Sequence, residues 1–195
     1  NKKNTNFITI CIKSTVPPTT CSLEIKNIIE EQGFSIGNDI GLCNNPEFLR
    51  EGYAWDDFMN PDRIVIGADD DRSNKLINKV YDNFNSEIIN VNLNTAEFIK
   101  YSSNTLLSTL ISFSNELEMI AMTIGNINIK KSFEILHKDK RWSGNPASMS
   151  NYAYPGCGFG GYCLPKDTQG LIKLASSKGY KANLLNEVIN VNNKI

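Results

Sequence analysis

The chain has 195 residues, of which 41% are hydrophobic and 21% charged, and its formal net charge is −1. This is the composition of an ordinary globular protein, and the length allows one or two domains with a substantial core. Acidic and basic residues balance without a concentrated basic segment, which argues against a nucleic-acid partner. No apolar run has the length of a membrane span, and the first residues do not resemble a signal peptide.

The five cysteines are Cys11, Cys21, Cys43, Cys157 and Cys163. Their odd number and the absence of a CxxC pair predict reduced thiols in a cytosolic protein rather than a disulfide framework. A zinc site from Cys157, Cys163 and the single histidine, His137, would match no common ligand spacing, so we expect no metal. His137 lies among charged residues, and we assign it no role.

The first half of the chain alternates strand and helix patterns. Strands are predicted at residues 7–12, 40–43, 64–66 and 87–91. A helix of about a dozen residues ending near Gly33 follows the first strand, and a second helix is predicted at residues 73–84. Strands that alternate with helices predict an α/β unit with a parallel sheet.

After Asn94 the pattern changes. Residues 95–124 contain no glycine or proline, and their apolar residues recur in steps of three and four: Leu106, Leu110, Phe113, Leu117, Ile120 and Ile124. The spacing predicts one long helix of about 45 Å. Such a seam is more often core or subunit interface than a ligand site. The remainder is predicted to be mainly helical, apart from a loop between Trp142 and Gly161. The predicted domains are therefore residues 1–93 and 94–195.

One common motif is absent. No GxGxxG follows a strand, so the usual phosphate-binding loop for a dinucleotide is missing from the sequence. The first predicted strand also resembles a strand from the middle of a sheet. We therefore expect the chain to be the middle of a larger protein and to be inactive alone.

The segment from Gly158 to Asp167 is the most informative one. It places Cys163 behind a glycine-rich loop, and Pro165 and Lys166 follow within three residues. Proline is favoured at the first helical position, so we expect Cys163 to cap a helix that ends near Ser177. A helix N-terminus and a nearby ammonium group both favour the thiolate, which is the nucleophilic form. The alternative is a buried structural cysteine in a glycine-rich turn.

Three further groups of residues are candidates for chemistry. Glu47 and Glu51 would share one face if their segment were helical, although acidic residues at a solvated helix start fit equally well. Lys100 and Asn104 lie one turn apart on the long helix and could stabilise an oxyanion by charge and hydrogen bonding. The alternative is that they belong to an ordinary solvated helix face. Ser14 and Thr15 follow the first strand, where open α/β sheets bind ligands, but turn capping explains them as well.

Five segments together resemble the UDP-glucose/GDP-mannose dehydrogenase family. They are KSTVP at residues 13–17, NPEFLREG at 45–52, PDRIVIG at 61–67, AEFIKYSSN at 96–104 and GFGGYCLPKD at 158–167. The resemblance implies a C-terminal part of a Rossmann-like NAD domain, a long connecting helix and a helical central domain that forms a homodimer. It also implies a four-electron oxidation of a UDP-sugar C6 alcohol to the acid, with NAD as cofactor and a thioester on the cysteine.

The family's functional positions fall on residues of this sequence. The resemblance implies catalytic roles for Cys163, Lys100, Glu47, Asn104, Asp167 and Thr15. It implies NAD contacts from Ser14, Thr15, Glu51 and Lys166. It implies sugar-nucleotide contacts from Glu47, Phe48, Leu49, Arg50, Lys100, Asn104, Arg141, Tyr154, Gly158, Phe159 and Gly160.

Two departures from the family pattern are visible. Thr19 stands where the family usually has glycine, and the interval from Arg141 to Cys163 is longer than in many members. Two of the motifs resemble the bacterial UDP-glucose enzymes more than the GDP-mannose or UDP-N-acetylhexosamine branches. Those branches remain alternatives, and so does a non-catalytic module that only dimerises.

Overall fold

The computed structural model describes residues 7–50, 52–143, 158–161 and 163–195. The chain forms two compact units, Asn1–Leu107 and Ser108–Ile195. The boundary between the units lies inside the long helix α4 (Leu93–Ile124). Because a helix shared by both units offers no natural cut, the division into domains 1–93 and 94–195 stays a prediction.

The first unit contains a sheet with the strand order β1-β2-β3-β4. The strands are β1 (Ile8–Ile12), β2 (Ile40–Asn44), β3 (Arg63–Ala68) and β4 (Glu87–Val91). The pairs β1/β2 and β3/β4 are parallel, as predicted. β2 and β3 are antiparallel and pair only through Cys43↔Ala68 and Asn44↔Gly67, so the prediction of a fully parallel sheet was wrong at this pair.

The connections contain helices of different lengths. A parallel pair needs a crossover that carries the chain back along the strand, a distance of about 17 Å for five residues. Between β1 and β2 this crossover is a π-helical segment (Thr20–Ile25) that continues into α1 (Lys26–Glu31). Between β2 and β3 the described residues contain one helix, α2 (Ala54–Met59), whose six residues span about 9 Å. β3 runs opposite to β2, and the two strands pair near their carboxyl ends.

The helix between β3 and β4 is shorter than predicted. α3 covers Asp71–Val80, and its N-terminus is capped by Asp70, whose carboxylate accepts a hydrogen bond of 2.8 Å from the Ser73 amide. An aspartate before the first turn satisfies one of the free amides there, which is why the helix begins ahead of the predicted Ser73.

The sheet has a small core on each face. Leu42 packs with Cys21, Ile29 and Leu93 on one face. The next residue of β2, Cys43, packs with Ile64, Ile66 and Tyr81 on the other face. Alternate side chains of a strand point to opposite faces, so a strand buried on both sides is apolar throughout.

The start of α4 lies against β3 because of a glycine. A Cβ atom added to Gly67 would lie 2.5 Å from the Cβ of Ala96, which real Cβ atoms do not reach. Gly67 thus permits the close approach of the helix that carries Lys100 two turns after its start. This contact fixes the position of Lys100 relative to the sheet.

The second unit is helical in its described part. It contains the end of α4 and the helices α5 (Ile129–Leu136), α6 (Lys140–Ser143), α7 (Cys163–Ser177) and α8 (Asn183–Asn192). Its core joins Ile120 to Ala175, Ala182 and Leu185. α7 ends at Ser177 as predicted, and Cys163 is its first residue rather than the cap.

The apolar seam of α4 divides into two parts. Phe113, Ile120 and Ile124 belong to the core formed with α7 and α8. Leu106 and Leu110 remain 51% and 45% exposed. Within the described residues, the second half of the seam therefore contributes to the intrachain core, whereas the first half is exposed. No helix in the described ranges is long and apolar enough to cross a membrane.

Candidate active site

Two predicted catalytic residues meet at the edge of the sheet. The Lys100 ammonium nitrogen lies 3.4 Å from a Glu47 carboxylate oxygen, and the Lys100 side chain is only 8% exposed. The other Glu47 oxygen accepts a 2.7 Å hydrogen bond from the Leu49 amide. A lysine ammonium is stable away from water only beside an opposite charge, so the two residues define one site.

Phe48 lies between two cations. Its ring centroid is 4.2 Å from the guanidinium carbon of Arg63 and 5.4 Å from the Lys100 ammonium. The face of an aromatic ring attracts cations, and more strongly where water is excluded. The ring thereby helps to hold the Lys100 ammonium next to Glu47. Arg63 was not among the predicted site residues, although it lies within one of the resembling segments.

Asn45 holds the start of the segment that carries Glu47. Its backbone amide donates to Ile12 O at 2.9 Å, and its side-chain amide donates to Val65 O at 2.7 Å. Its side-chain oxygen accepts from Lys13 Nζ at 2.7 Å and from the Tyr81 hydroxyl. These contacts tie the segment to β1, β3 and the end of α3. The sequence prediction missed Asn45, Lys13 and Tyr81, although Asn45 and Lys13 open two of the segments.

The residues after Glu47 do not form a helix. Residues 45–50 are irregular, so the helical segment on which a shared face of Glu47 and Glu51 depended is not present there, and Glu51 lies outside the described residues. Arg50 forms a bidentate pair with Asp57, with contacts between 2.6 and 3.2 Å. The hydrogen bonds of this pair raise the pKa of Arg50 and lower the pKa of Asp57. Asp57 therefore orients the arginine predicted to hold the sugar nucleotide.

A pocket of about 100 Å³ opens at this edge of the sheet. Its lining includes the predicted substrate residues Glu47, Phe48, Leu49 and Arg50, together with Lys13, Asn45, Asp57, Arg63 and Tyr81. Cations, carboxylates and an aromatic ring at one opening suit a polar ligand with a ring, such as a nucleotide or a sugar. Asn104, one turn after Lys100 on α4, is exposed.

Two of the four predicted cofactor contacts follow the carboxyl end of β1. Ser14 and Thr15 are exposed there, next to the parallel strand β2. Free hydroxyls at the carboxyl end of parallel strands fit a nucleotide cofactor. The glycine loop that would hold a pyrophosphate is not in the sequence, so these residues fit only part of a cofactor site.

The turn after Thr15 is held by a buried carboxylate. Glu97 is 1% exposed, and its two oxygens accept from the amides of Thr19 at 2.6 Å and Cys21 at 2.8 Å. Thr19 adopts φ +79°, the left-handed region that favours glycine. Two amides that converge on one carboxylate require this backbone. The departure from the family's glycine is thus a real strain, and Glu97 has a structural role that the sequence motif did not assign.

The glycine-rich loop is anchored within the second unit. The side chain of Asn192 accepts from the Phe159 amide at 2.7 Å and donates to Phe159 O at 3.0 Å. A Cβ atom on Gly158 would lie 2.5 Å from the Asn192 side-chain oxygen. Gly158, Phe159 and Gly160 are thereby fixed ahead of Cys163. Nothing in the sequence pattern marked Asn192 for this role.

The structure does not describe the side chains of several predicted site residues. Tyr154 lies outside the described residues, and so do the side chains of Cys163, Lys166 and Asp167, although their backbone belongs to α7. Arg141, on α6, donates to Asp139 from Nε at 3.0 Å. Hydrogen bonds from Arg141 lower the pKa of Asp139 to about 2.

Family models match both parts of the chain. Residues 2–85 match the NAD binding domain of the UDP-glucose/GDP-mannose dehydrogenase family, and residues 94–194 match its central domain. The chain belongs to this family. NAD is the cofactor of the matched N-terminal domain.

Known relatives agree with this membership. The UDP-glucose 6-dehydrogenase of Rickettsia bellii is 40% identical over 187 residues, which are 94% of this chain and 40% of the relative. A solved GDP-mannose dehydrogenase from Pseudomonas aeruginosa is similar with a TM-score of 0.86 and 31% identity, over 97% of this chain and 43% of that one. A solved UDP-glucose dehydrogenase from Pyrobaculum islandicum is similar with a TM-score of 0.64 and 35% identity, over 96% of this chain and 42% of that one. The chain spans about two fifths of the length of these relatives.

Proposed function

We propose that this chain carries the catalytic residues of an NAD-dependent nucleotide-sugar 6-dehydrogenase that oxidises UDP-glucose to UDP-glucuronate. The observation that carries the proposal is the contact between Lys100 and Glu47, a residue that lines a pocket, in a member of this family. A nearly buried ammonium group held beside a carboxylate suits a reaction that develops negative charge on oxygen.

The proposed chemistry divides the work among several residues of the chain. NAD+, when bound, would supply the hydride acceptor for two successive oxidation steps. The Cys163 thiolate adds to the C6 aldehyde to give a thiohemiacetal, which loses the second hydride to become a thioester, and water then hydrolyses the thioester. Lys100 and Asn104 stabilise the oxyanions along this path. Glu47 acts as base for the hydrolysis, and Thr15 and Asp167 position the water.

The remaining residues are proposed to bind the two ligands. Ser14, Thr15, Glu51 and Lys166 contact NAD. Phe48, Leu49, Arg50, Arg141, Tyr154 and the loop 158–160 contact the UDP-sugar. The bidentate pair of Arg50 with Asp57 supports a positioned guanidinium, which suits recognition of phosphate.

The position of Cys163 supports its role as nucleophile. It is the first residue of the fifteen-residue helix α7, and the free amides of a helix N-terminus favour a thiolate. The preceding loop is anchored through Asn192 to the last helix of the same unit. An anchored loop and a regular helix around Cys163 support a defined backbone position at this residue.

The test is an assay of the longest open reading frame that contains this chain. NADH formation is measured with UDP-glucose, GDP-mannose and UDP-N-acetylmannosamine, for the wild type and for Cys163→Ala. We expect turnover of UDP-glucose and no sugar acid from the variant, because no thioester can form. The matched control is Cys157→Ala, which should retain activity. Normal UDP-glucuronate production by Cys163→Ala would refute the assignment.

GDP-mannose is the second candidate substrate. The structural similarity to the Pseudomonas aeruginosa GDP-mannose dehydrogenase supports it. The same panel decides between the two, since a kcat/KM higher for GDP-mannose would replace UDP-glucose in the proposal. Turnover of none of the three sugar nucleotides would favour a non-catalytic dimerisation module.

A further inference from the structure

Cys11 and Cys43 are neighbours on adjacent strands. They are register partners in the parallel pair β1/β2, and their sulfur atoms are 3.9 Å apart. Register partners point to the same face of a sheet. Adjacent strands lie about 4.8 Å apart, which is within the range of Cα separations that a disulfide bridges. Rotation of the side chains is therefore enough to join the two sulfurs.

The third described cysteine lies on the other face. Cys43 packs with Ile64 and Ile66, and Cys11 packs against the same cluster. Cys21 belongs to the opposite core with Leu42. The sheet therefore separates Cys21 from the pair. Cys21 can serve as a control cysteine that should not take part in the cross-link.

The two thiols of the pair differ in reactivity. Cys11 is half-buried, whereas Cys43 is fully buried. The pKa of Cys11 is lowered to about 7, first by the hydrogen bond with Cys43 and further by the charge of Lys13, against the effect of burial. The same hydrogen bond and burial raise the pKa of Cys43. Cys11 is thus the accessible thiol that ionises first, and Cys43 is its buried partner.

We propose that Cys11 and Cys43 form an oxidation site, which closes to an intramolecular disulfide when the protein meets hydrogen peroxide. The Cys11 thiolate attacks one peroxide oxygen, so that an S–O bond forms, the O–O bond breaks and the departing hydroxide takes a proton to become water. The Cys43 sulfur then attacks the Cys11 sulfur. The S–S bond forms, the S–O bond breaks, and the leaving hydroxide takes the Cys43 proton. Two thiols and one peroxide give one disulfide and two waters.

The location of the pair connects it with the pocket. Cys11 stands two residues before Lys13, and Cys43 stands two residues before Asn45. The side chains of Lys13 and Asn45 meet at 2.7 Å. The disulfide would therefore link the two segments covalently just below this contact. The proposal does not depend on the activity proposed above.

Peptide mapping of the native chain tests the proposal. Trypsin separates the three cysteines, because Cys11 lies in the peptide 4–13, Cys21 in 14–26 and Cys43 in 27–50. The protein is treated with a small excess of hydrogen peroxide, blocked with iodoacetamide, digested and analysed by mass spectrometry. We expect a cross-linked pair of 4–13 and 27–50 whose mass is two hydrogen atoms below the sum, and its loss after reduction with dithiothreitol.

The controls use the same digest. Cys11→Ser should abolish the cross-link and leave Cys43 as a free thiol, and Cys21→Ser should leave the cross-link unchanged. A Cys11 sulfinic acid beside an unmodified Cys43 in the wild type would overturn the proposal. A cross-link between peptide 4–13 and peptide 14–26, which contains Cys21, in place of peptide 27–50 would also overturn it. Wild-type mapping decides the question even if a variant fails to fold.

Discussion

The ammonium of Lys100 and the carboxylate of Glu47 are 3.4 Å apart, although Glu47 lies in the loop after β2 and Lys100 lies on α4. The lysine side chain is nearly buried and the glutamate side chain is 36% exposed. The pair therefore joins a polar loop to a helix at the place where catalysis is proposed, and its removal has consequences for both stability and activity.

Glu47→Gln should destabilise the chain. The change leaves a nearly buried ammonium without its opposite charge, and we expect a loss of about 1–2 kcal/mol in the free energy of unfolding, below the value for a fully buried pair because Glu47 is partly exposed. Urea denaturation measures it. The control is Glu118→Gln on the same helix, where an exposed change should stay within about 0.5 kcal/mol. Equal stability of the two variants would contradict the prediction.

Lys100→Ala should lower kcat far more than it raises KM. An oxyanion stabiliser acts mainly in the transition state, and losing one such contact lowers kcat by about 100- to 1,000-fold. Steady-state kinetics on the longest open reading frame measure both constants. A raised KM with unchanged kcat would make Lys100 a substrate-binding residue instead.

Thr19→Gly should stabilise the chain. A left-handed backbone costs a residue with a side chain about 1–2 kcal/mol, and the variant removes this cost. Glycine also gives the unfolded chain more conformational freedom, which destabilises the folded state by about 0.4–1 kcal/mol. The free energy of unfolding should therefore rise by about 0.5–1 kcal/mol. The Thr19 amide still donates to Glu97 in the variant. Thermal unfolding measures the change. Thr20→Gly, inside the π-helical segment, is the control and should destabilise; a loss at position 19 would show that the strain is compensated elsewhere.

Alkylation of the native chain should depend on pH at Cys11 and hardly at all at Cys21. The pKa of Cys11 is lowered to about 7, so its thiolate, the reactive form, grows as the pH rises through that value. Burial, then the hydrogen bond with Glu97, raises the pKa of Cys21 to about 12, so it stays a thiol. Iodoacetamide labelling followed by peptide mapping gives both curves. A Cys11 midpoint near the unperturbed value of 9.0 would contradict the assignment.

The chain should associate into a homodimer through the first half of the α4 seam. Leu106 and Leu110 are exposed leucines on one helix face, and burying them against a second copy removes apolar surface from water. Sedimentation should show a dimer that Leu106→Glu with Leu110→Glu converts to a monomer. Leu23→Glu, at another exposed leucine, is the control. A monomeric wild type would refute the seam as an interface.

The sequence alone predicted the elements and the important segments. Short-range patterns of apolar, glycine and proline residues predict the strand positions, the long helix and the end of α7. The motifs likewise identified Glu47, Lys100 and Cys163 as candidates, and they indicated the family to which the chain belongs. These features are local, so the sequence determines them without knowledge of the path of the chain.

Only the tertiary structure decided which distant residues meet. The antiparallel pairing of β2 with β3, the burial of Lys100 beside Glu47 and the contact of Cys11 with Cys43 all depend on where a connection returns the chain. The left-handed Thr19 likewise follows from Glu97, which approaches from another helix. No periodicity records such contacts, because their energy comes from packing and charge between segments far apart in the sequence.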